Sequence, residues 1–158
     1  MDVDASLIGN NNAACCGLAR NSEGEWIRGF TCNLGNIPIS ITEVKAIQLG
    51  METCRSRKIE KAHIFSDSFD VVNFFYKGVL DSYPFYEEVT VVQELIVTQQ
   101  DYKILHAPRE ATLYADFLAK QAHHHPCDLI QLLEAPRGCE VYLLANKSGI
   151  IPIASNII

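Results

Sequence analysis

Four acidic residues stand where a solvated charge is out of place. Asp4 lies in Val3-Asp4-Ala5, Glu43 in Thr42-Glu43-Val44-Lys45-Ala46, Asp67 directly after Ile64-Phe65-Ser66, and Asp116 in Tyr114-Ala115-Asp116-Phe117-Leu118. A carboxylate beside apolar packing is disfavoured by desolvation, and a second carboxylate nearby disfavours it further. A hard divalent cation relieves both penalties, since Mg²⁺ takes oxygen ligands, keeps several waters and binds through a few carboxylates together with substrate phosphates. The chemistry open to such a site is phosphodiester hydrolysis. Paired metal ions about 4 Å apart generate a nucleophile near neutral pH and neutralise charge on the nonbridging and leaving oxygens. His106 adds an imidazole, a group that can accept or shuttle a proton.

Each residue also has a simpler reading. Glu43 stands three positions after Ser40, a capping-box spacing with Ile39 and Val44 as its hydrophobic staple. Asp67 can cap a short helix beside Ser68. Asp4 can share the polar face of an alternating strand with Asp2 and Ser6, and Asp116 can be an early helix acid favoured by the helix dipole. His106 can be an ordinary strand-end histidine. His123-His124-His125 reads as a polar helix end stopped by Pro126, because consecutive helical residues do not share a face. The rings of Phe74, Phe75, Tyr76, Tyr83, Phe85 and Tyr86 could stack on bases, but core packing and loop anchoring explain them more simply.

The elements that must position these residues follow from the pattern. Residues 3–8 alternate as a strand, Asn10-Asn11-Asn12 marks a turn, and the small apolar run 13–20 reads as a central strand. Asn21-Ser22-Glu23-Gly24 turns the chain into a third strand over 26–34. Val44, Ile47, Met51 and Cys54 recur at helical spacing, predicting a helix over about 41–57. A strand at 62–66, helices at 67–77 and 86–99, a fifth strand at 102–106 and a helix at 111–122 complete the order. Hairpins followed by helical crossovers imply a mixed α/β sheet covered by helices. Beyond Pro126 the pattern degrades, and 149–158 is an apolar tail with no assigned packing.

Bulk properties narrow the classes. The 158 residues suffice for one domain with its own core, and the net charge of −6 argues against tight nonspecific nucleic-acid binding by charge alone. No apolar run approaches the roughly 18 to 20 residues needed to cross a bilayer, and the start of the sequence lacks a basic region followed by an apolar stretch. The expectation is therefore a soluble intracellular monomer, in the nucleus or cytoplasm, with no membrane partner. The six cysteines form no C-x-x-C pair and read as reduced, packing residues.

Taken in order, Asp4-Ala5-Ser6, Glu43, Ser66-Asp67-Ser68, His106, Pro108-Arg109-Glu110 and Ala115-Asp116 resemble the type 1 ribonuclease H pattern. More narrowly, Gly17-Leu18-Ala19-Arg20-Asn21-Ser22-Glu23-Gly24, Phe30-Thr31-Cys32-Asn33-Leu34-Gly35 and Ala115-Asp116-Phe117-Leu118-Ala119 are similar to the ribonuclease H domains of plant non-LTR retroelements and their domesticated relatives. The resemblance covers residues 3–122 and is carried by several motifs in order.

It implies a ribonuclease H-like mixed α/β fold: a five-stranded sheet whose first three strands are antiparallel, with helices on both faces. Residues 1–125 would form this domain and 126–158 a C-terminal extension. It implies hydrolysis of the RNA strand of RNA–DNA hybrids by two metal ions, Mg²⁺ with Mn²⁺ as a substitute, held by Asp4, Glu43, Asp67 and Asp116, with His106 as the loop histidine. The sequence departs from the family at Ala5, where a glycine is common, and at Thr112, where an asparagine usually helps contact the substrate strand. A hydroxyl has fewer hydrogen-bonding groups than an amide, which weakens substrate placement. The region after Asp67 also lacks the basic protrusion of some relatives. Arg20, Arg28, Arg55, Arg57, Lys58 and Arg109 are the available cations, with no sequence argument that puts them on one face. These departures leave open a second class, a domain that keeps the fold but serves as a noncatalytic binding or interaction module.

Overall fold

In the computed structural model, which describes residues 1–126 and 128–142, the small apolar run is the heart of a sheet. It forms β2 (Asn12–Arg20), in which seven consecutive residues are buried. β1 (Asp2–Ile8) and β3 (Trp26–Asn36) pair with it antiparallel on either side. Cys15 joins an apolar cluster with Val44, Ile47 and Met51, while its neighbours Cys16 and Leu18 join another with Ala115, Leu118 and Ala119. Alternation along β2 therefore sends successive side chains to opposite layers, and helices cover both faces of the sheet.

The first layer is built on α1 (Ile39–Ser56), whose buried Val44, Ile47, Met51 and Cys54 form the stripe predicted by their spacing. Gly50 lets this helix approach β1 closely, since a Cβ there would lie 3.0 Å from Val3 Cγ1. Gly17 makes room in the same layer, where a Cβ would fall 2.3 Å from Phe30 Cε1. β4 (Ala62–Ser66) and β5 (Tyr102–His106) run parallel to each other, and β4 runs parallel to β1. α2 (Phe69–Lys77) and α3 (Tyr86–Thr98) connect them and pack against the α1 layer through Val71, Val72, Phe75, Val89 and Val92. The opposite layer is α4 (Leu113–Ala122).

The expected count of five strands is corrected to six. β6 (Leu129–Leu132) pairs antiparallel with β3, giving the order β5-β4-β1-β2-β3-β6. β6 reads Leu129-Ile130-Gln131-Leu132, a stretch of four residues that alternates between exposed and half-buried positions and is too short for a periodicity to single it out. Its pairing is dictated by β3, whose outer backbone groups at Gly29 to Cys32 need partners. Three helix starts also move by two residues, α1 opening at Ile39 instead of about 41. Asp67 precedes α2 instead of opening it, and Arg109–Ala111 forms a 3-10 turn ahead of α4.

The aromatic residues between α2 and α3 anchor the fold. Phe74, Tyr83 and Phe85 form a ring cluster with centroids 5.3 to 6.4 Å apart. The helix bearing the histidines ends at Ala122, and His125 Nδ1 lies 2.8 Å from Thr31 Oγ1 on β3. Cys15, Cys16, Cys32, Cys54 and Cys139 are buried and free. Cys127 and the tail at 149–158 lie outside the described residues. Among the described residues, no helix is long and apolar enough to cross a membrane.

Candidate active site

The register of the parallel strands brings the first two acids together. Asp2 on β1 is level with Phe65 on β4, so two residues further along each chain Asp4 is level with Asp67. The turn that presents Asp67 is shaped by Ser66, fully buried, whose hydroxyl accepts the Ser68 N–H at 3.1 Å. Glu43 arrives from the other direction. It sits near the start of α1 among the core-facing residues Thr42, Val44 and Ala46, and is 9 % exposed. Asp4, Glu43 and Asp67 each offer a carboxylate oxygen, all within 4.8 Å of one another.

The simpler capping roles of Glu43 and Asp67 are not what the local geometry contains, whereas Asp116 does stand in the first turn of α4. α1 is capped at Pro38 with no side-chain hydrogen bond, and Ser40 is already inside the helix, so no Ser40–Glu43 capping box forms. The cap of α2 is Ser68, again without a side-chain bond, so Asp67 does not perform that task. Asp2 shares the polar side of β1 with Asp4 but forms a buried ion pair with Arg20. Asp4 has no such partner among the described ion pairs.

Electrostatics follow from the crowding. Burial, reinforced by the charge of Asp67 and then Asp116, pushes the Asp4 carboxyl up to about 7. Burial, together with Asp4 and Asp67, pushes Glu43 up to about 9. Glu43 Oε2 is buried with no hydrogen-bond partner among the described residues. A buried acceptor left unpaired costs the full desolvation of that group, so the cluster is an incomplete arrangement that a cation would complete. Its all-oxygen donor set suits a hard divalent ion such as Mg²⁺.

Asp116 and His106 stand beside this triad. Asp116, in the first turn of α4, pairs with Lys120 Nζ at 2.6 Å and lies 3.7 Å from Arg109 Nη2. Its charge acts on Asp4, but its oxygens are not part of the mutually close group. His106 ends β5 level with Ser66, is exposed, and meets the ring of Phe69 at 5.5 Å with the planes 89° apart.

In the sequence Arg109 is one of several cations with no assigned common face, and the structure places it beside the acids. It is the cation whose charge lowers both Asp4 and Glu43, and its side chain is 71 % exposed. The available signal was its place in the segment joining His106 to Asp116. Thr112 is 1 % exposed, and its hydroxyl donates to the Arg109 carbonyl at 3.1 Å.

The comparisons with known proteins agree with this architecture. Residues 2–122 match the family described as reverse transcriptase-like. A protein of Arabidopsis thaliana, named provisionally as a ribonuclease H protein, is 28 % identical over 123 residues, covering 77 % of this chain. The match spans only 20 % of that relative's length. Among solved structures, ribonuclease H1 from Halobacterium salinarum superposes with a TM-score of 0.70 at 21 % identity, covering 77 % of this chain and 93 % of the other. The LC11 ribonuclease H1, isolated from compost and crystallised with an RNA/DNA hybrid, also gives 0.70, at 15 % identity over 78 % of this chain and 94 % of the other.

Proposed function

The chain belongs to the reverse transcriptase-like family of ribonuclease H domains, and from that premise we propose that it is a Mg²⁺-dependent endonuclease acting on the RNA strand of RNA–DNA hybrids. The observation that carries this reading is the meeting of Asp4, Glu43 and Asp67 oxygens within 4.8 Å, with Glu43 Oε2 left unpartnered. The LC11 ribonuclease H1 of the same fold holds an RNA/DNA hybrid, which supports the substrate class.

In this reading Asp4, Glu43 and Asp67 would hold a divalent ion, with Asp116 beside them as a further carboxylate. Mg²⁺ or Mn²⁺ bound there would supply an activated water and neutralise charge on the nonbridging and leaving oxygens. The chain's own groups do the rest. Lys120 and Arg109 orient Asp116. Arg109, loosely held and largely exposed, turns its guanidinium to a nonbridging phosphate oxygen, where a planar fork of donors suits the charge that grows during attack. His106 delivers a proton to the departing 3′ oxygen from the open end of β5. Ser66 and the start of α1 fix the triad before substrate arrives, so little reorganisation is left for the reaction itself.

The test is cleavage of an end-labelled RNA paired with DNA, with Mg²⁺ and with chelator, beside RNA alone and duplex DNA. Cleavage confined to the RNA of the hybrid and abolished by chelator is the expected result. A second reading, a noncatalytic binding or interaction module, draws on Thr112, whose buried hydroxyl is engaged with the Arg109 carbonyl. Hybrid binding without cleavage across Mg²⁺ and Mn²⁺ concentrations would favour it.

A further inference from the structure

Phe69 belongs to none of the core clusters among the described residues. It is the first residue of α2, whose core-facing side chains are Val71, Val72 and Phe75, yet its own large ring is 60 % exposed. It stands two residues after Asp67, and its ring meets His106 at 5.5 Å with planes 89° apart. Because His106 is level with Ser66 across β4 and β5, and Phe69 follows Asp67 by two residues, the ring pair stands on the β5 side of the segment that carries Asp67. The edge-to-face contact restricts how the phenyl ring can turn while leaving much of its surface free.

Resting on the hydrolytic reading above, we propose that Phe69 is a substrate-contacting residue whose exposed surface packs against a ribose of the strand being cleaved, beside the phosphate that the carboxylates address. An A-like duplex presents its sugars along a wide, shallow minor groove. The C–H face of a ribose is apolar and matches a phenyl surface, and a ring already restrained by His106 loses little freedom on contact. Charge points the same way. With a net charge of −6 and three carboxylates at this spot, the region beside the cluster gains little from phosphate attraction, and an apolar contact supplies a hold that salt does not screen.

The experiment compares the full chain with Phe69→Ala and Phe69→Tyr. Fluorescence anisotropy on a labelled RNA–DNA hybrid in chelator gives Kd across a salt series, and cleavage in Mg²⁺ gives kcat and KM. Loss of a partly buried ring should raise Kd and KM about five- to thirtyfold in Phe69→Ala, with kcat falling by less than KM rises. The slope of log Kd against log salt should stay parallel to native, because no phosphate contact is removed. Phe69→Tyr should bind like the native chain, and both variants should keep the native melting temperature. Phe69→Ala binding within twofold of native, or Phe69→Tyr binding as weakly as Phe69→Ala, overturns the proposal and leaves the hydrolytic reading standing. A native chain that binds no hybrid overturns both.

Discussion

The hydroxyl of Tyr76 serves both backbone groups of Ile104: it donates to the carbonyl at 2.6 Å and accepts the N–H at 3.0 Å. Ile104 lies in the middle of β5, the strand at one edge of the sheet. An edge strand offers unpaired backbone groups to any passing strand, and one phenol on α2 satisfies two of them.

Tyr76→Phe should therefore destabilise the fold by roughly 1–2 kcal/mol, measured as a lower urea midpoint at unchanged slope. The loss stays modest because Tyr76 is 56 % exposed, so water can reach part of the vacated edge. Hybrid cleavage under conditions where the variant is fully folded should match the native chain. A variant as stable as native would show that water already satisfies Ile104.

The contrast between β5 and β6 shows what a sequence can and cannot display. β4 and β5 occur where alternation and apolar content placed them, at Ala62–Ser66 and Tyr102–His106, because each packs side chains into the core. β6 is apolar at three of its four positions, but so short a stretch is not assigned by its own pattern and depends on the open edge of β3. The same holds within the site. Asp4, Glu43 and Asp67 were visible because a charge among apolar neighbours is anomalous along the chain itself. Arg109 and Phe69 are ordinary in sequence, and only the turn of 109–111 and the ring contact with His106 give them a place beside the acids.

The raised carboxyls make a signed prediction about pH. In the unfolded chain these groups titrate near pH 4, whereas burial lifts Asp4 to about 7 and Glu43 to about 9. Below about pH 4 both states carry the protons and the site is neutral to stability. As pH rises, the unfolded chain ionises first, the native state binds more protons, and stability falls through about 7 for Asp4 and about 9 for Glu43. In chelator the melting temperature should thus drop between pH 5 and pH 8. Glu43→Gln should flatten the drop and gain on the order of 1 kcal/mol or more at pH 8. Millimolar Mg²⁺ should stabilise the native chain more at pH 8 than at pH 6, because the ligands must be deprotonated to bind it. Identical pH profiles for native and Glu43→Gln would contradict the assignment.

Asp67→Asn keeps the shape of the side chain and removes a charge from the crowded triad. The amide cannot serve as an anionic ligand, so Mg²⁺-dependent hybrid cleavage should fall by at least about a hundredfold. The metal-free variant should be as stable as native or more so, since one source of repulsion at Asp4 and Glu43 is gone. Gel-resolved cleavage and thermal melting on the same preparation separate the two effects. Full activity in the purified variant would assign hydrolysis to other residues or to a contaminant.

Arg109→Ala joins electrostatics to catalysis in one variant. Arg109 lowers both Asp4 and Glu43, so its removal should shift the pH at which Mg²⁺ begins to protect the fold upward. If the guanidinium also meets the phosphate, kcat should fall about 10²- to 10³-fold, the usual cost of deleting one donor to developing charge. Arg109→Lys separates the contributions: an ammonium restores the charge felt by the acids but not the planar fork, so the Mg²⁺ protection profile should return toward native while kcat remains depressed. Recovery of kcat in the lysine variant would reduce the role of Arg109 to its charge. An alanine variant with native kcat and a native Mg²⁺ profile would remove it from the site altogether.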